Sequence, residues 1–141
     1  MLGEERLRVY GTSFGRDVGC VATRNGERSI QVMLYNFEAK PEELQGSAKV
    51  NLTVENLPFK ADEVIVEHYR IDGEHSNAYT EWIRQGRPEH PSPEQASAIR
   101  NRESLELYEP IKTQRIKDGR FKKEITLPPL SVTLIKLKPK G

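Results

Sequence analysis

The side chains best suited to chemistry in this 141-residue chain lie close together, in the segment from His68 to Pro88. The segment is HYRIDGEHSNAYTEWIRQGRP, and it holds two of the three histidines, several carboxylates and the single tryptophan. Imidazoles and carboxylates can bind metals or exchange protons, whereas aromatic rings beside arginine suit a buried contact between two bodies. The segment could therefore be a catalytic site, a ligand-binding surface or an interface with another protein or domain.

The histidines and the cysteine give little support to a metal or nucleophile site. His68, His75 and His90 have no cysteine companion and do not show the helical spacing of a two-histidine zinc site. Cys20 lies in the apolar run VGCVAT and has no obvious base, which is typical of a small buried side chain. We expect no metal, no cofactor and no catalytic nucleophile in this chain.

Paired carboxylates are the remaining catalytic possibility, because glycoside hydrolysis uses two of them. The candidates are Glu67, Asp72, Glu74 and Glu81. Such a pair needs an enclosed cleft that raises the pKa of one member, and a strand end followed by an exposed turn rarely provides one. We expect these carboxylates to be solvated or ion-paired.

The composition limits the class of partner. Lys and Arg number 22 and Asp and Glu number 21, so the net charge of +1 gives no electrostatic reason to expect nucleic acid or a membrane as a partner.

No signal sequence is recognisable, and no apolar run approaches membrane length, which favours a cytoplasmic protein.

Period-two alternation predicts seven to nine short strands separated by turn residues. In RSIQVMLYN, the apolar side chains of Ile30, Val32 and Leu34 share one face. The sequence predicts an all-β fold, an antiparallel two-sheet β-sandwich of immunoglobulin or fibronectin type, as a single domain over residues 1–141.

Two finer expectations concern the end of the chain. The last strand, LSVTLIKLK, is expected to turn Val132 and Leu134 inward. The Asp118-Gly119 pair is expected to form a turn that pairs TQRIK with RFKKEITLP.

A helical insert, at about residues 76–104, interrupts the strands. Ser76 or Asn77 is a suitable N-cap for a first helix that ends before Gly86. Ser92 is a suitable N-cap for a second helix, with Pro93 at its first position.

Three stretches together resemble the C-terminal part of glycoside hydrolase family 39, which contains β-xylosidases and α-L-iduronidases. They are ATRNGERSIQVMLYNF, HYRIDGEHSNAYTEWIRQGRPEHPSPEQ and LPPLSVTLIKLK. The order of Arg-Ile-Asp, His-Ser-Asn-Ala-Tyr, Trp82, Gly86-x-Pro88 and Pro93-x-Gln95 is similar to that of the xylosidase branch. The resemblance extends from about Thr23 to Lys138.

The resemblance implies a parent enzyme that hydrolyses β-xylosides with retention, using two glutamates in a (β/α)₈ barrel. Such a barrel needs about 250 residues, so it cannot lie within this chain, and none of the family's catalytic motifs is found here. We therefore expect a non-catalytic accessory domain that braces the barrel or an oligomer.

The expected partner is the catalytic barrel of the parent enzyme or a neighbouring subunit. The residues predicted to form this interface are Arg70, Asp72, His75, Ser76, Asn77, Tyr79 and Trp82.

Two alternatives stay open at this point. The chain could be a carbohydrate-binding module for xylan or xylo-oligosaccharides, with Tyr79, Trp82 or Tyr108 stacking on the sugar. It could also be a catalytic domain of its own that uses Glu67 and Asp72, an alternative with little support.

Overall fold

The computed structural model describes residues 2–11, 18–37 and 46–141. Nine strands and two helices occur in this part of the chain. In chain order they are β1 Glu5–Arg6, β2 Val18–Asn25, β3 Ser29–Asn36, β4 Ala48–Val54, β5 Glu63–Ile71, α1 Ala78–Arg84, α2 Pro93–Asn101, β6 Glu106–Leu107, β7 Lys112–Arg115, β8 Phe121–Leu127 and β9 Ser131–Pro139. Among the described residues, neither helix has the length and apolar character needed to cross a membrane.

The strands form two antiparallel sheets. The larger sheet has seven strands in the order β1-β2-β3-β9-β5-β6, with β7 also paired to β5. The smaller sheet consists of β4 and β8. The predicted all-β sandwich with a short two-helix insert is therefore confirmed.

The core lies between the sheets and follows directly from the alternation. Ile30, Val32 and Leu34 on β3 share one face, as predicted, and each is 1% exposed in the core. The remaining buried apolar side chains are Ala22, Val54, Phe59, Val64, Val66, Phe121, Ile125, Leu127, Ile135 and Leu137. Every second residue of a strand faces this core because successive side chains point to opposite sides of a sheet.

The inward orientation predicted for Val132 and Leu134 is wrong. The core side of β9 carries Ser131, Thr133, Ile135 and Leu137, all buried, whereas Val132 and Leu134 lie on the outer side and are partly exposed. The register with β3 places Ile135 opposite Val32 and so fixes this phase. The sequence of β9 is apolar in both phases at its centre, and alternation alone could not choose between them.

The Asp118-Gly119 turn forms, but the pairing predicted from it is wrong. Both residues have the positive φ that a tight two-residue turn needs, 53° and 69°. The pairing ends at a single bridge between Lys117 and Arg120. Beyond that bridge β7 pairs with β5 of the larger sheet and β8 pairs with β4, so the two arms belong to different sheets.

The helical insert begins and ends where its capping residues predict. Asn77 caps α1, and Gly86, with a φ of 83°, follows its end. Ser92 caps α2 and forms a reciprocal capping box with Gln95, and Pro93 is the first helical residue. Two strands differ from the sequence prediction. RLRVYG contributes only Arg6 to β1, and the short strand β6 was not predicted.

Burial predicts which leucines hold the sandwich together. Leu127 is fully buried, and its replacement by alanine should lower the free energy of unfolding by about 2–5 kcal/mol because it leaves a cavity. Leu130→Ala, three residues away at a side chain that is 52% exposed, is the matched control and should change little. Urea unfolding followed by tryptophan fluorescence compares the two, and equal losses would contradict this assignment of the core.

Candidate functional site

Strand β5 changes from apolar to charged along its inner face. Val64 and Val66 are followed in the same phase by His68 and Arg70, and each of these polar residues is 2% exposed. A charged group this deeply buried needs partners, because transfer out of water costs several kcal/mol. The partners of these two side chains define the site.

Arg70 lies between three separate segments of the chain. Its Nη2 donates a hydrogen bond of 3.1 Å to the carbonyl of Thr126 on β8, and its Nη1 lies 3.7 Å from Oδ2 of Asp72. The ring of Tyr108 covers the guanidinium at 4.2 Å from its centroid. A planar cation with several donors can stack and donate at the same time, which a lysine ammonium cannot do. Arg70 thus connects the larger sheet, the smaller sheet and the segment after α2.

Asp72 organises the turn that follows β5. Its Oδ1 accepts hydrogen bonds of 2.8 Å from the backbone amides of Glu74 and His75, and it lies 2.9 Å from Nδ1 of His75. Burial raises the pKa of Asp72, but these hydrogen bonds outweigh burial and leave the pKa below its ordinary value. The carboxylate therefore stays ionised and fixes the turn.

Ser76 and Asn77 attach this turn to both sides of the insert. The hydroxyl of Ser76 donates to the carbonyl of Arg70 at 2.8 Å and accepts from the amide of Glu106 at 2.7 Å. The amide group of Asn77 donates to the carbonyl of Asp72 at 3.0 Å, and its oxygen accepts from the amide of Thr80 as the N-cap of α1. Both side chains thus use their polar atoms within the domain.

Tyr79 and Trp82 form the aromatic part of the insert. Their ring centroids are 5.7 Å apart with planes inclined at 31°. Trp82 is partly buried and donates from Nε1 to the carbonyl of Pro88 at 3.1 Å, within the insert itself. Tyr79 is 63% exposed, the largest value among the seven predicted interface residues, and it presents a ring to the outside.

His68 and Glu109 form a second charged group beside Arg70. Nδ1 of His68 lies 3.1 Å from Oε1 of Glu109, and the same carboxylate accepts hydrogen bonds from Lys112 and Lys123. Burial, and to a lesser degree the nearby Lys123 and Arg70 charges, lower the pKa of His68 to about 4. Burial raises the pKa of Glu109, but its hydrogen bonds to Lys123, Lys112 and His68 outweigh that effect and lower it to about 2.

The carboxylates of this cluster are held in their ionised form. A general acid in glycoside hydrolysis needs a raised pKa, whereas the pKa values of Glu67, Asp72 and Glu109 are all lowered. Glu67 is paired with Lys138 and accepts from the hydroxyl of Tyr69. Glu74 and Glu81 are both ion-paired with Arg84. Within the described residues, no three His, Cys, Asp or Glu side chains converge as metal ligands would.

The structure brings most of the predicted residues together, but around a centre that sequence reasoning did not identify. Tyr108 packs on His68 and His75 as well as on Arg70, with ring centroids 4.8 Å and 5.3 Å apart. The alternation of β5 could have predicted that His68 and Arg70 point inward, since they continue the positions of Val64 and Val66. No pattern in the sequence predicts that Tyr108, beyond the insert, packs against them.

A separate cleft lies at the turn between β7 and β8. It has a volume of about 270 Å³, contains the ion pair between Glu55 and Arg120, and includes none of the predicted interface residues. Its remaining lining is Asn56, Leu57, Phe59, Ala61, Ile116, Asp118 and Gly119. Nothing in this lining indicates a particular ligand.

Removal of the buried cation should be strongly destabilising. Arg70→Ala leaves Asp72 and the carbonyl of Thr126 without their cationic partner, and we expect the free energy of unfolding to fall by about 3–5 kcal/mol. Arg100→Ala, at an exposed position in the last turn of α2, is the control and should cost less than about 0.5 kcal/mol. Urea unfolding of both variants tests the difference, and a near-neutral Arg70→Ala would contradict the central role of this side chain.

The lowered pKa of His68 predicts a stability that decreases on mild acidification. In the unfolded chain this imidazole takes up a proton near its ordinary pKa of 6.5, but in the folded chain only near 4. Between these pH values the unfolded state therefore binds more protons than the folded state. The free energy of unfolding should decrease by up to about 1.4 kcal/mol for each unit by which the pH is lowered. His68→Gln should flatten this dependence between pH 6.5 and 4.5, whereas the exposed His90→Gln should not.

The pH experiment has a second, separate window. Glu109 contributes stability above its ordinary pKa of 4.5, and this contribution is lost as the pH falls toward 2. A loss that begins only below pH 4.5 in the unmodified chain would contradict the assignment to His68.

Comparison with known proteins identifies relatives of this fold. The sequence model for glycosyl hydrolases family 39 matches residues 2–116, well over half of the chain. Among curated proteins, none matches. Three solved structures of about 14–20% identity share the fold: a bacterial orthologue of human α-L-iduronidase, the family 39 enzyme from Xanthomonas axonopodis pv. citri and a monomeric β-xylosidase from Caulobacter crescentus.

The similarity covers nearly all of this chain but only a small part of each enzyme. The iduronidase orthologue has a TM-score of 0.74 at 20% identity, and the match covers 89% of this chain and 22% of that one. The Xanthomonas and Caulobacter enzymes have TM-scores of 0.73 and 0.67 at 14% and 17% identity, each over 86% of this chain and 26% of theirs. On the extent of the family match, the chain belongs to glycosyl hydrolase family 39 and corresponds to its C-terminal β-sandwich region.

Proposed function

We propose that this chain is the non-catalytic accessory domain of a family 39 glycoside hydrolase, which braces the catalytic barrel or an oligomer of the enzyme. The observation that carries the proposal is the asymmetry of the match, nearly the whole of this chain against about a quarter of each enzyme. The chemistry of such an enzyme would then belong to the part of its chain outside this domain.

The contacts around Arg70 support a bracing role. Ion pairs and hydrogen bonds hold the β5 turn, the insert and the segment of Tyr108 in one arrangement. A domain that must present a fixed surface to a neighbour benefits from such a network, because less ordering remains to be done on association.

The interface predicted from the sequence stays a prediction, and the geometry favours a division of roles within it. Tyr79 and Trp82 would contact the catalytic barrel or a neighbouring subunit. Arg70, Asp72, His75, Ser76 and Asn77 would hold the insert in position, because each already has at least one polar partner within the domain.

We propose β-xylosides as the first substrates to assay for the parent enzyme, with retention of configuration. The similarity to a β-xylosidase and the sequence resemblance to the xylosidase branch support this choice. The similarity to an iduronidase orthologue makes α-L-iduronides the second class to assay.

One observation favours a carbohydrate-binding module as the second candidate function. The exposed Tyr79 ring beside Trp82 is an aromatic platform of the kind that can stack on a sugar ring. Xylo-oligosaccharides would be the ligands.

Calorimetric titration separates the two functions. Xylose, xylotriose and xylohexaose, each added to millimolar concentration, should give no saturable heat with this chain, and the chain alone should not hydrolyse an aryl β-xyloside. Addition of the chain to the family 39 catalytic region encoded in the same genome should raise the melting temperature of that region.

Two opposite results would replace the proposed accessory function with another one. A saturable heat that disappears in Trp82→Ala, while the variant keeps its circular dichroism spectrum, would establish a binding module. Hydrolysis by the chain alone, retained after a second purification, would contradict a non-catalytic role.

A further inference from the structure

The outer face of the seven-stranded sheet carries apolar side chains in two rows. They align because the residues are direct partners in the strand register. The first row is Val21, Met33, Leu134, Tyr69 and Leu107. The second is Tyr35, Val132 and Ile71, beside Gly19, over which the Tyr35 ring lies. We call these eight side chains the outer patch.

All eight side chains of the outer patch keep part of their surface exposed. Leu107, Ile71 and Tyr35 are 41%, 43% and 37% exposed, and the other five are partly exposed. Phe37 and Leu130, at 59% and 52%, extend the apolar surface beyond the last strand pair at the same end. The patch therefore crosses five strands without a charged side chain.

The core side of the sheet is partly polar at this end. Behind the outer patch, beside apolar side chains such as Leu34, the core side of the same strands carries five buried polar groups. They are Asn36, His68, Arg70, Ser131 and Thr133. An antiparallel sheet with one face in water normally turns its apolar side chains toward the core and its polar ones outward. Apolar side chains outside and polar groups inside at the same end favour an outer face that is covered by a partner.

The other end of the outer face is polar and already covered. Thr23 and Gln31 lie there and are buried, with the N-terminal segment over them. The amide of Gly3 donates to Oγ1 of Thr23 at 2.7 Å, and the amide of Glu4 donates to Oδ1 of Asn25 at 2.9 Å. The N-terminal segment thus covers the polar end, and within residues 2–11, 18–37 and 46–141 the outer patch stays partly exposed.

We propose that the outer patch is the surface on which the catalytic domain of the parent glycosidase docks, an inference that rests on the proposed function. Apolar patches of a few hundred Å² on a protein surface commonly mark an interaction site. The relatives supply the occupant, because about three quarters of each of their chains lies outside the region that this chain matches.

The size of the outer patch favours a domain of the same chain over a second copy. With strands about 4.8 Å apart and alternate residues about 7 Å apart, its two rows, with Gly19 included, cover roughly 300 Å². Doubled for two partners, that area agrees with interfaces between linked domains, about 600–1,500 Å² in total. It falls short of the roughly 1,600 Å² typical of stable complexes between separate proteins.

The position of the insert agrees with this assignment. Ile71 is the last residue of β5, and the turn of Asp72 leads from it directly into α1. The insert therefore starts at the apolar end of the sheet, where Tyr79 could extend the contact made by the outer patch.

Binding of the chain to the family 39 catalytic region encoded in the same genome tests the proposal. The double variant Ile71→Lys with Leu130→Lys places two charges in the contact and should weaken binding at least tenfold. Leu130→Lys alone lies in a turn outside the strand ladders, so it tests the same surface if the double variant folds poorly. Asn51→Lys, exposed on the smaller sheet, is the matched control and should bind as the unmodified chain does.

Each other outcome has a distinct meaning. Unchanged binding by both lysine variants would overturn the outer patch while leaving the proposed function intact, and loss in Tyr79→Ser alone would assign the contact to the insert. A dimer of the chain that Ile71→Lys with Leu130→Lys converts to a monomer would identify a second copy as the occupant and overturn the proposal. Failure of the unmodified chain to bind the catalytic region would contradict the proposed function itself.

Discussion

The guanidinium of Arg70 joins the two sheets, the turn after β5 and the segment after α2 at one buried point. It is 2% exposed, and its contacts reach β8 through Thr126, the turn through Asp72 and the segment after α2 through Tyr108. Burial of a cation is costly, so the arrangement is stable only while all three partners are in place. The sandwich and its insert are therefore energetically coupled, although the insert contributes no residue to the apolar core.

The same end of the molecule shows two departures from an ordinary sandwich. Its interior holds buried polar groups beside the apolar ones, and the outer surface of the same strands is apolar where water is normally met. Docking of a catalytic domain on the outer face would explain both departures. The ion-paired groups inside would fix the geometry of this end, and the apolar groups outside would make the contact. Lowered carboxylate pKa values agree with fixed ion pairs and offer no proton donor at neutral pH.

The sequence predicted the helices and their caps well. It predicted less well which face of the sheet the side chains of the central strands occupy. The caps Asn77 and Ser92 predicted both helices, because a cap acts on amides within its own first turn. Val132 and Leu134 were placed on the wrong face, since Leu134 and Ile135 are both apolar and only pairing with β3 sets the phase. Tyr108 could not be assigned to Arg70 from sequence, because 38 residues separate them and no local pattern encodes so distant a contact.

The hydroxyl of Ser76 closes the base of the helical insert together with the pairing of β5 and β6. Ser76 joins the carbonyl of Arg70 to the amide of Glu106, two points on opposite sides of both helices. The entropy of closing a loop grows only with the logarithm of its length, so a doubling costs about 0.6 kcal/mol. The two helices beyond these hydrogen bonds can consequently be lengthened, shortened or replaced in evolution without disturbing the sheets. The length and sequence of related enzymes should vary most in this insert.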